Sequence, residues 1–150
     1  MPAPDWKDLE FLLGEWTAEG GGQPGQGAGR VTFSLDLDKN ILVRRNHLDF
    51  AATPENPAFA HDDLLITYRE ETGEMRAIYF DNEGHTIHYA VTLQPDGTIA
   101  YVSPAIPGAP RFRMSYLKGK AGSYITRFEI APPGNPEGFV THVEGPARRK

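Results

Sequence analysis

The residues best suited to chemistry lie close together in residues 76–91, which read RAIYFDNEGHTIHYAV. This stretch contains two phenols, Tyr79 and Tyr89, and an acid–imidazole pair, Asp81 and His85. A histidine held by a carboxylate can act as a general acid or base. Phenol hydroxyls in apolar surroundings need hydrogen-bond partners, and the polar end of a bound ligand can be one.

The same stretch predicts a β-hairpin. Runs of β-branched and aromatic residues flank a polar Asn-Glu-Gly turn at residues 82–84. Pairing across this turn places Tyr79 opposite Ile87 and Ala77 opposite Tyr89, so that their side chains share one sheet face. A mostly apolar face with a few polar groups is typical of a ligand pocket, and equally of a sheet core with a polar rim.

A second set of candidates lies on the predicted strand 41–50, ILVRRNHLDF. Arg44 and Asn46 share the strand face that carries the larger apolar side chains, so we predict that they point inward. A buried guanidinium needs an anionic or hydrogen-bonding partner. Arg113 and Tyr116 are further candidates for polar ligand contacts, but they fall on opposite faces of one strand. Alternation with Phe112, Met114 and Tyr116 places Arg113 outside.

The sequence predicts no metal site. His85 and His88 are three residues apart on a strand, so their rings point to opposite faces. Residues 61–63, His-Asp-Asp, fall at a predicted loop-to-strand junction, and we interpret them as a turn whose carboxylates are solvated. The chain has no cysteine and no Gly-X-Ser-X-Gly motif, and its glycine-rich segment lacks the ending of a phosphate loop.

Composition narrows the class of protein. The 150 residues suit one domain, residues 1–150, with a core of its own. The formal net charge of −5 argues against a nucleic-acid partner, and the basic cluster at residues 148–150 is interpreted as a solvated tail. We expect no signal peptide and no membrane span, and therefore a cytoplasmic protein.

The remaining pattern predicts an all-β fold. One helix is expected at residues 4–13, capped by Asp5 and ended by Gly14, with a glycine-rich link at 20–29 and a loop at 51–61. Strands are predicted at residues 14–20, 30–37, 41–50, 63–70, 75–81, 85–93, 98–103, 111–117, 124–131 and 139–144. Short turns without intervening helices favour an antiparallel meander, closed as a β-barrel of about ten strands with the helix over one end. A two-sheet sandwich is the alternative.

Several segments suggest a family. The segments FLLGEW, LVRRN, YFDNEGH, PRFRMSY and FEIAPPG resemble the calycin superfamily of lipocalins, fatty-acid-binding proteins and nitrobindins, and more closely a group of bacterial calycin-like proteins of undefined function. This resemblance implies a ligand-holding barrel. In fatty-acid-binding proteins, interior Arg and Tyr side chains hold a ligand carboxylate. The likeness favours Arg113 inside the barrel, against the alternation, and the two predictions stay open.

The segment THVEGPARRK is similar to the end of nitrobindins, where a histidine on the last strand binds haem iron. The resemblance implies that His142 could be such a ligand. Alternation instead places His142 with Val140 and Glu144 on the less apolar face, which favours a rim residue. We therefore expect no cofactor, with haem as the alternative.

The function expected from these observations is non-enzymatic binding of a small hydrophobic or amphipathic molecule in the barrel. The predicted ligand-binding residues are Arg44, Asn46, Tyr79, His85, Tyr89 and Arg113. One alternative is a haem or nitric-oxide sensor that uses His142, and another is a small enzyme that uses His85 and Asp81 at the mouth. A homodimer through an outer patch of Ile78 and Phe80 is a further prediction.

Overall fold

The computed structural model describes residues 4–18, 28–120 and 122–149. It is a closed antiparallel barrel of ten strands in which each strand pairs with the next along the chain and β1 pairs with β10. The strands are β1 (Gly14–Ala18), β2 (Ala28–Asp36), β3 (Ile41–Phe50), β4 (Phe59–Arg69), β5 (Met75–Asp81), β6 (Thr86–Leu93), β7 (Ile99–Val102), β8 (Arg111–Lys118), β9 (Ser123–Ala131) and β10 (Val140–Arg149). The predicted all-β barrel is confirmed, whereas most of the predicted link 20–29 lies outside the described residues.

Pairing of β1 with β10 closes the barrel and leaves the meander without free edges. Trp16 is registered opposite Arg149, whose guanidinium lies 4.3 Å from the centre of the Trp16 ring. Arg149 also donates a hydrogen bond of 2.8 Å to the Leu13 carbonyl. Arg148 and Arg149 are exposed, as predicted for a solvated basic cluster, but they belong to the closing strand and do not form a tail.

The hairpin of β5 and β6 has the predicted register. Ala77 pairs with Tyr89 and Tyr79 pairs with Ile87. Gly84 has φ +91°, a left-handed conformation that glycine adopts without strain, and it ends the turn. The face predicted from alternation consequently points into the barrel.

The N-terminal segment is a short 3₁₀ helix, η1 (Lys7–Leu12), rather than the longer helix predicted over residues 4–13. Trp6, directly before η1, and Leu9 and Leu12 within it are buried and recur every three residues, which is the period of a 3₁₀ helix. The predicted cap by Asp5 is wrong, because Trp6 is the residue at the N-cap and it makes no side-chain cap hydrogen bond; Asp5 accepts a hydrogen bond of 2.9 Å from the Lys7 amide. The Trp6 indole donates to the Lys39 carbonyl at 2.7 Å and so ties η1 to the β2–β3 turn.

The end of the barrel beneath η1, here called the closed end, contains the packed core. The Trp16 indole donates to the Leu12 carbonyl at 2.7 Å, and Leu12 is fully buried. Edge-to-face contacts join the rings in this half, with centroids 4.6 to 6.1 Å apart, a favoured aromatic geometry. These rings belong to Trp16, Phe33, Tyr101, Tyr116 and Tyr124.

Among the described residues, the opposite end, here called the open end, is formed by the connections that follow β3, β5, β7 and β9. Inward-facing apolar side chains remain exposed there: Phe59 is 50% exposed, Val140 67% and Val143 58%. Within the part of the chain that the structure describes, no helix lies over this end.

Strand β4 begins four residues earlier than predicted. The loop prediction for residues 51–61 is wrong at its end, because β4 starts at Phe59, and the Phe59 ring stacks on Phe50 with centroids 4.7 Å apart. This earlier start places residues 61–63 inside a strand. Among the described residues, no helix is long and apolar enough to cross a membrane.

The closed end should dominate stability. Leu12→Ala removes a side chain that is 0% exposed and should lower the free energy of unfolding by about 2–5 kcal/mol, because it leaves a cavity. The matched control Leu93→Ala alters a side chain that is 51% exposed and should change stability by no more than about 0.5 kcal/mol. Urea denaturation measures both, and equal losses would contradict this picture of the core.

Candidate functional site

Arg44 lies inside the barrel, as predicted, and its side chain is only 8% exposed. Nη2 forms a charged hydrogen bond with the Asp63 carboxylate, which is 4% exposed. Nη1 donates to the Tyr116 hydroxyl at 2.6 Å and lies 3.5 Å from the Met114 sulfur. Within the described residues, Arg44 Nε has no hydrogen-bond partner.

The contact between Arg44 and Tyr116 spans the barrel, because it joins β3 to β8, which are not neighbouring strands. The aromatic rings of the core lie on the side of this contact that faces the closed end. Burial alone would lower the pKa of Arg44, but Tyr116 and Asp63 outweigh burial and raise that pKa above its ordinary value. Arg44 is therefore a permanent positive charge that the protein itself neutralises.

Asp63 is the centre of the polar wall. Its second carboxylate oxygen accepts a hydrogen bond from Asn46 Nδ2 at 2.9 Å and lies 2.9 Å from His61 Nε2. The prediction that residues 61–63 form a turn with solvated carboxylates is wrong, since β4 directs His61 and Asp63 into the barrel. Asn46 is half-buried on the predicted inner face.

Asp81 lies beside this cluster at the rim, with a side chain that is 4% exposed. It accepts hydrogen bonds from the Tyr79 hydroxyl at 3.0 Å and from His85 Nδ1 at 2.9 Å. The backbone amides of Glu83 and His85 donate to its other oxygen at 3.0 and 2.9 Å. Burial opposes ionisation, but these donors outweigh it and lower the pKa of Asp81 to about 2.

His61 lies between the carboxylates of Asp63 and Glu83. Its Nδ1 lies 3.3 Å from Glu83 Oε1, and its Nε2 lies 3.3 Å from the Tyr79 hydroxyl. Partial burial lowers the pKa of His61, but the hydrogen bonds to Glu83 and Asp63 outweigh it, so the net pKa is raised. Burial is the main cause that raises the pKa of Tyr79, which keeps its phenol a hydrogen-bond donor.

Two further predicted residues also lie on the inner side of the hairpin. Tyr89 is 3% exposed and its ring meets Tyr101 edge-to-face at 6.1 Å, so it belongs to the packed wall below the rim. His85 is at the rim, with a side chain that is 63% exposed. The predicted pairing of Asp81 and His85 across the turn is present.

Arg113 is separate from this cluster. Its guanidinium donates two hydrogen bonds, of 2.9 and 2.8 Å, to the Glu129 carboxylate and lies 4.2 Å from the centre of the Phe139 ring. Met114 and Tyr116, on the same strand, are buried in the core. The prediction from alternation, that Arg113 points outward, is therefore the one the structure bears out.

His142 lies at an irregularity of β10, where the register shifts between Thr141 and Val143. A bulge breaks the alternation of side chains, so the faces assigned from the sequence do not hold here. His142 is exposed at the open end, and its ring lies 6.2 Å from that of Phe128, which packs against the core.

Three important residues, His61, Asp63 and Glu83, were missed as site residues. A signal for two of them was present: alternation carried back from buried Leu65 through Asp63 reaches His61 on the same face. Two prolines before His61 suggested a loop and concealed this strand. Glu83 had no signal beyond its place in the turn.

Half-buried apolar side chains and one polar wall lie on the inner side of the barrel toward the open end. Tyr79, Ile87, Phe112 and Phe128 are half-buried and pack against the core beneath them. Arg44 and Asp63 of the polar wall are paired with each other, which favours holding a molecule over attacking one. No protein-family model matches this chain, and no curated protein sequence matches it.

The pKa of Asp81 predicts a loss of stability in acid. Because the pKa in the folded protein is about 2, below its ordinary value of 3.8, the stabilisation is complete above pH 3.8 and is lost as the pH falls toward 2. Asp81→Asn should remove about 2 kcal/mol of this pH dependence. Urea denaturation from neutral pH to pH 2, with the exposed Asp38→Asn as control, measures it, and identical pH profiles for wild type and Asp81→Asn would refute the assignment.

Proposed function

We propose that this protein is a calycin-like carrier or sensor domain that binds a small, mainly apolar molecule at the open end of the barrel without covalent chemistry. The observation that carries this proposal is the exposure of inward-facing apolar side chains, Phe59, Val140 and Val143, around the mouth. Exposed apolar surface inside a concave site is stabilised when a ligand covers it.

The ion pair of Arg44 with Asp63 argues for a ligand whose polar end is neutral. A carboxylate ligand would have to displace Asp63 from a guanidinium whose charge is already paired. It would also approach Asp81 and Glu83, since both lie at the same wall. Like charges in a partly buried site are costly, so a hydroxyl or amide suits Asn46 and Tyr79 better than an anion.

This proposal differs from the mode by which fatty-acid-binding proteins hold a carboxylate, to which the resemblance pointed. Haem ligation by His142, and catalysis by His85 with Asp81, stay predictions. The contacts of Asp81 give it a simpler role, because it accepts two backbone amides and so orders the β5–β6 turn.

The direct experiment titrates the protein with 1-octanol and with octanoate at about pH 8, where the acid is ionised. Calorimetry in the presence of EDTA should show that octanol binds more tightly than octanoate. Phe128→Ser should weaken octanol binding about tenfold, since it removes part of the apolar wall. The matched control Phe80→Ser alters a ring on the outer face, 40% exposed, and should leave the affinity unchanged.

Asp63→Asn tests the charge argument in the same assay. The variant frees the Arg44 guanidinium, so octanoate should now bind more tightly than it does to the wild type, and the preference for the alcohol should shrink or reverse. Absence of binding by either probe to the wild type would overturn the proposed function. Tight binding of octanoate to the wild type would overturn the claim of a neutral ligand.

A further inference from the structure

Metal-ligating side chains come together at the rim, next to the ion pair of Arg44 and Asp63. His61, Asp81 and Glu83 each offer one ligand atom, and these atoms all lie within 4.8 Å of one another. His61 Nδ1 is 3.3 Å from Glu83 Oε1. Tetrahedral Zn²⁺ with bonds of about 2.0–2.1 Å places its ligand atoms roughly 3.3 Å apart. The cluster therefore needs only small side-chain rotations to surround an ion.

The ring of His61 is oriented by Asp63, which would not itself touch the ion. His61 Nε2 lies 2.9 Å from the Asp63 carboxylate, which leaves Nδ1 directed at the cluster. Asp63 is itself fixed by Arg44 and Asn46. Metal-ligating histidines commonly donate their second ring N–H to a carboxylate in this way, which sets the tautomer and strengthens the ligand.

The carboxylate of Asp81 is likewise held in place before any ion arrives. The backbone amides of Glu83 and His85 and the Tyr79 hydroxyl donate hydrogen bonds to it, at 3.0, 2.9 and 3.0 Å. Glu83 belongs to the same tight turn, so the two acidic ligands come from one short segment. A ligand fixed in advance loses little conformational entropy on binding.

The local charge favours a cation. Arg44 pairs with Asp63. Among the described residues, the ion-pair partners of the other two carboxylates are imidazoles: His85 for Asp81, and His61 and His85 for Glu83. A divalent ion at the centre of the cluster would supply the missing charge.

We propose that His61 Nδ1 and the carboxylates of Asp81 and Glu83 form a binding site for a divalent transition metal, Zn²⁺, with His85 as the fourth ligand. His85 Nδ1 lies 2.9 Å from Asp81 Oδ2 and 4.0 Å from Glu83 Oε2, and its side chain is free to turn because it is 63% exposed. Imidazole with carboxylate is a ligand set that suits zinc and its neighbours in the first transition row. The site shares its wall with the apolar ligand proposed above, since Tyr79 donates to Asp81, but its test with the metal alone does not depend on that ligand.

The test uses the full chain without an affinity tag, stripped with EDTA and then freed of it. Calorimetric titration with Zn²⁺ should show one equivalent bound, and Co²⁺ should give the strong visible bands of a tetrahedral complex. His61→Gln and Glu83→Gln should each weaken binding by more than about tenfold, and Asp63→Asn should weaken it about 10- to 100-fold. Glu83 is exposed, so the variant Glu83→Gln should keep the fold, which circular dichroism checks.

Two controls separate this site from surface binding. His88→Gln and Glu71→Gln alter exposed residues outside the cluster and should leave the Zn²⁺ affinity unchanged. His47, which lies 2.6 Å from Asp62 and 3.1 Å from Asp49 on the outer face, is the rival position. Loss of binding in His47→Gln with retention in His61→Gln would overturn the proposal, as would the absence of any binding at millimolar Zn²⁺.

Discussion

The burial of Arg44 is the constraint on which the interior of this barrel depends. A guanidinium removed from water is strongly destabilising unless a carboxylate and further acceptors surround it. Asp63 supplies the charge and Tyr116 a hydroxyl at 2.6 Å from the opposite wall. Pairing of the buried guanidinium therefore requires that Arg44 on β3, Asp63 on β4 and Tyr116 on β8 all point inward. It also joins β3 to β8, which are not neighbours in the sheet.

The contact of Arg44 with Tyr116 across the barrel also divides the interior into two halves. Toward the closed end, Leu12, Trp16 and the tyrosine rings fill the space and leave no large side chain exposed among them. Toward the open end, the side chains above Arg44 are only half-buried, and one wall carries His61, Tyr79 and Asp81. The exposed apolar side chains at this end and the Arg44–Asp63 pair are the basis of the proposed binding function. The carboxylates of Asp81 and Glu83 beside His61 are the basis of the proposed zinc site.

The fold was largely predictable because its signals are local. Alternation gave the bounds of β3 and β5, and glycine-containing turns gave the register of the β5–β6 hairpin. The site was predictable only in part. Arg44 and Asn46 could be assigned to the inner face, but their partner Asp63 could not, because the beginning of β4 follows a loop with two prolines. Likewise, the bulge near His142 could not be predicted from alternation, because a bulge interrupts the alternation of inward and outward side chains.

A double-mutant cycle tests the central claim, that Asp63 neutralises Arg44 inside the barrel. Arg44→Met and Asp63→Leu, separately and together, would be measured by urea denaturation. Each single change should cost about 3–5 kcal/mol, because it leaves a buried charge without its partner, whereas the double change should cost much less than their sum. Additive losses in the double variant would show that the two charges are stabilised independently, and would contradict this account.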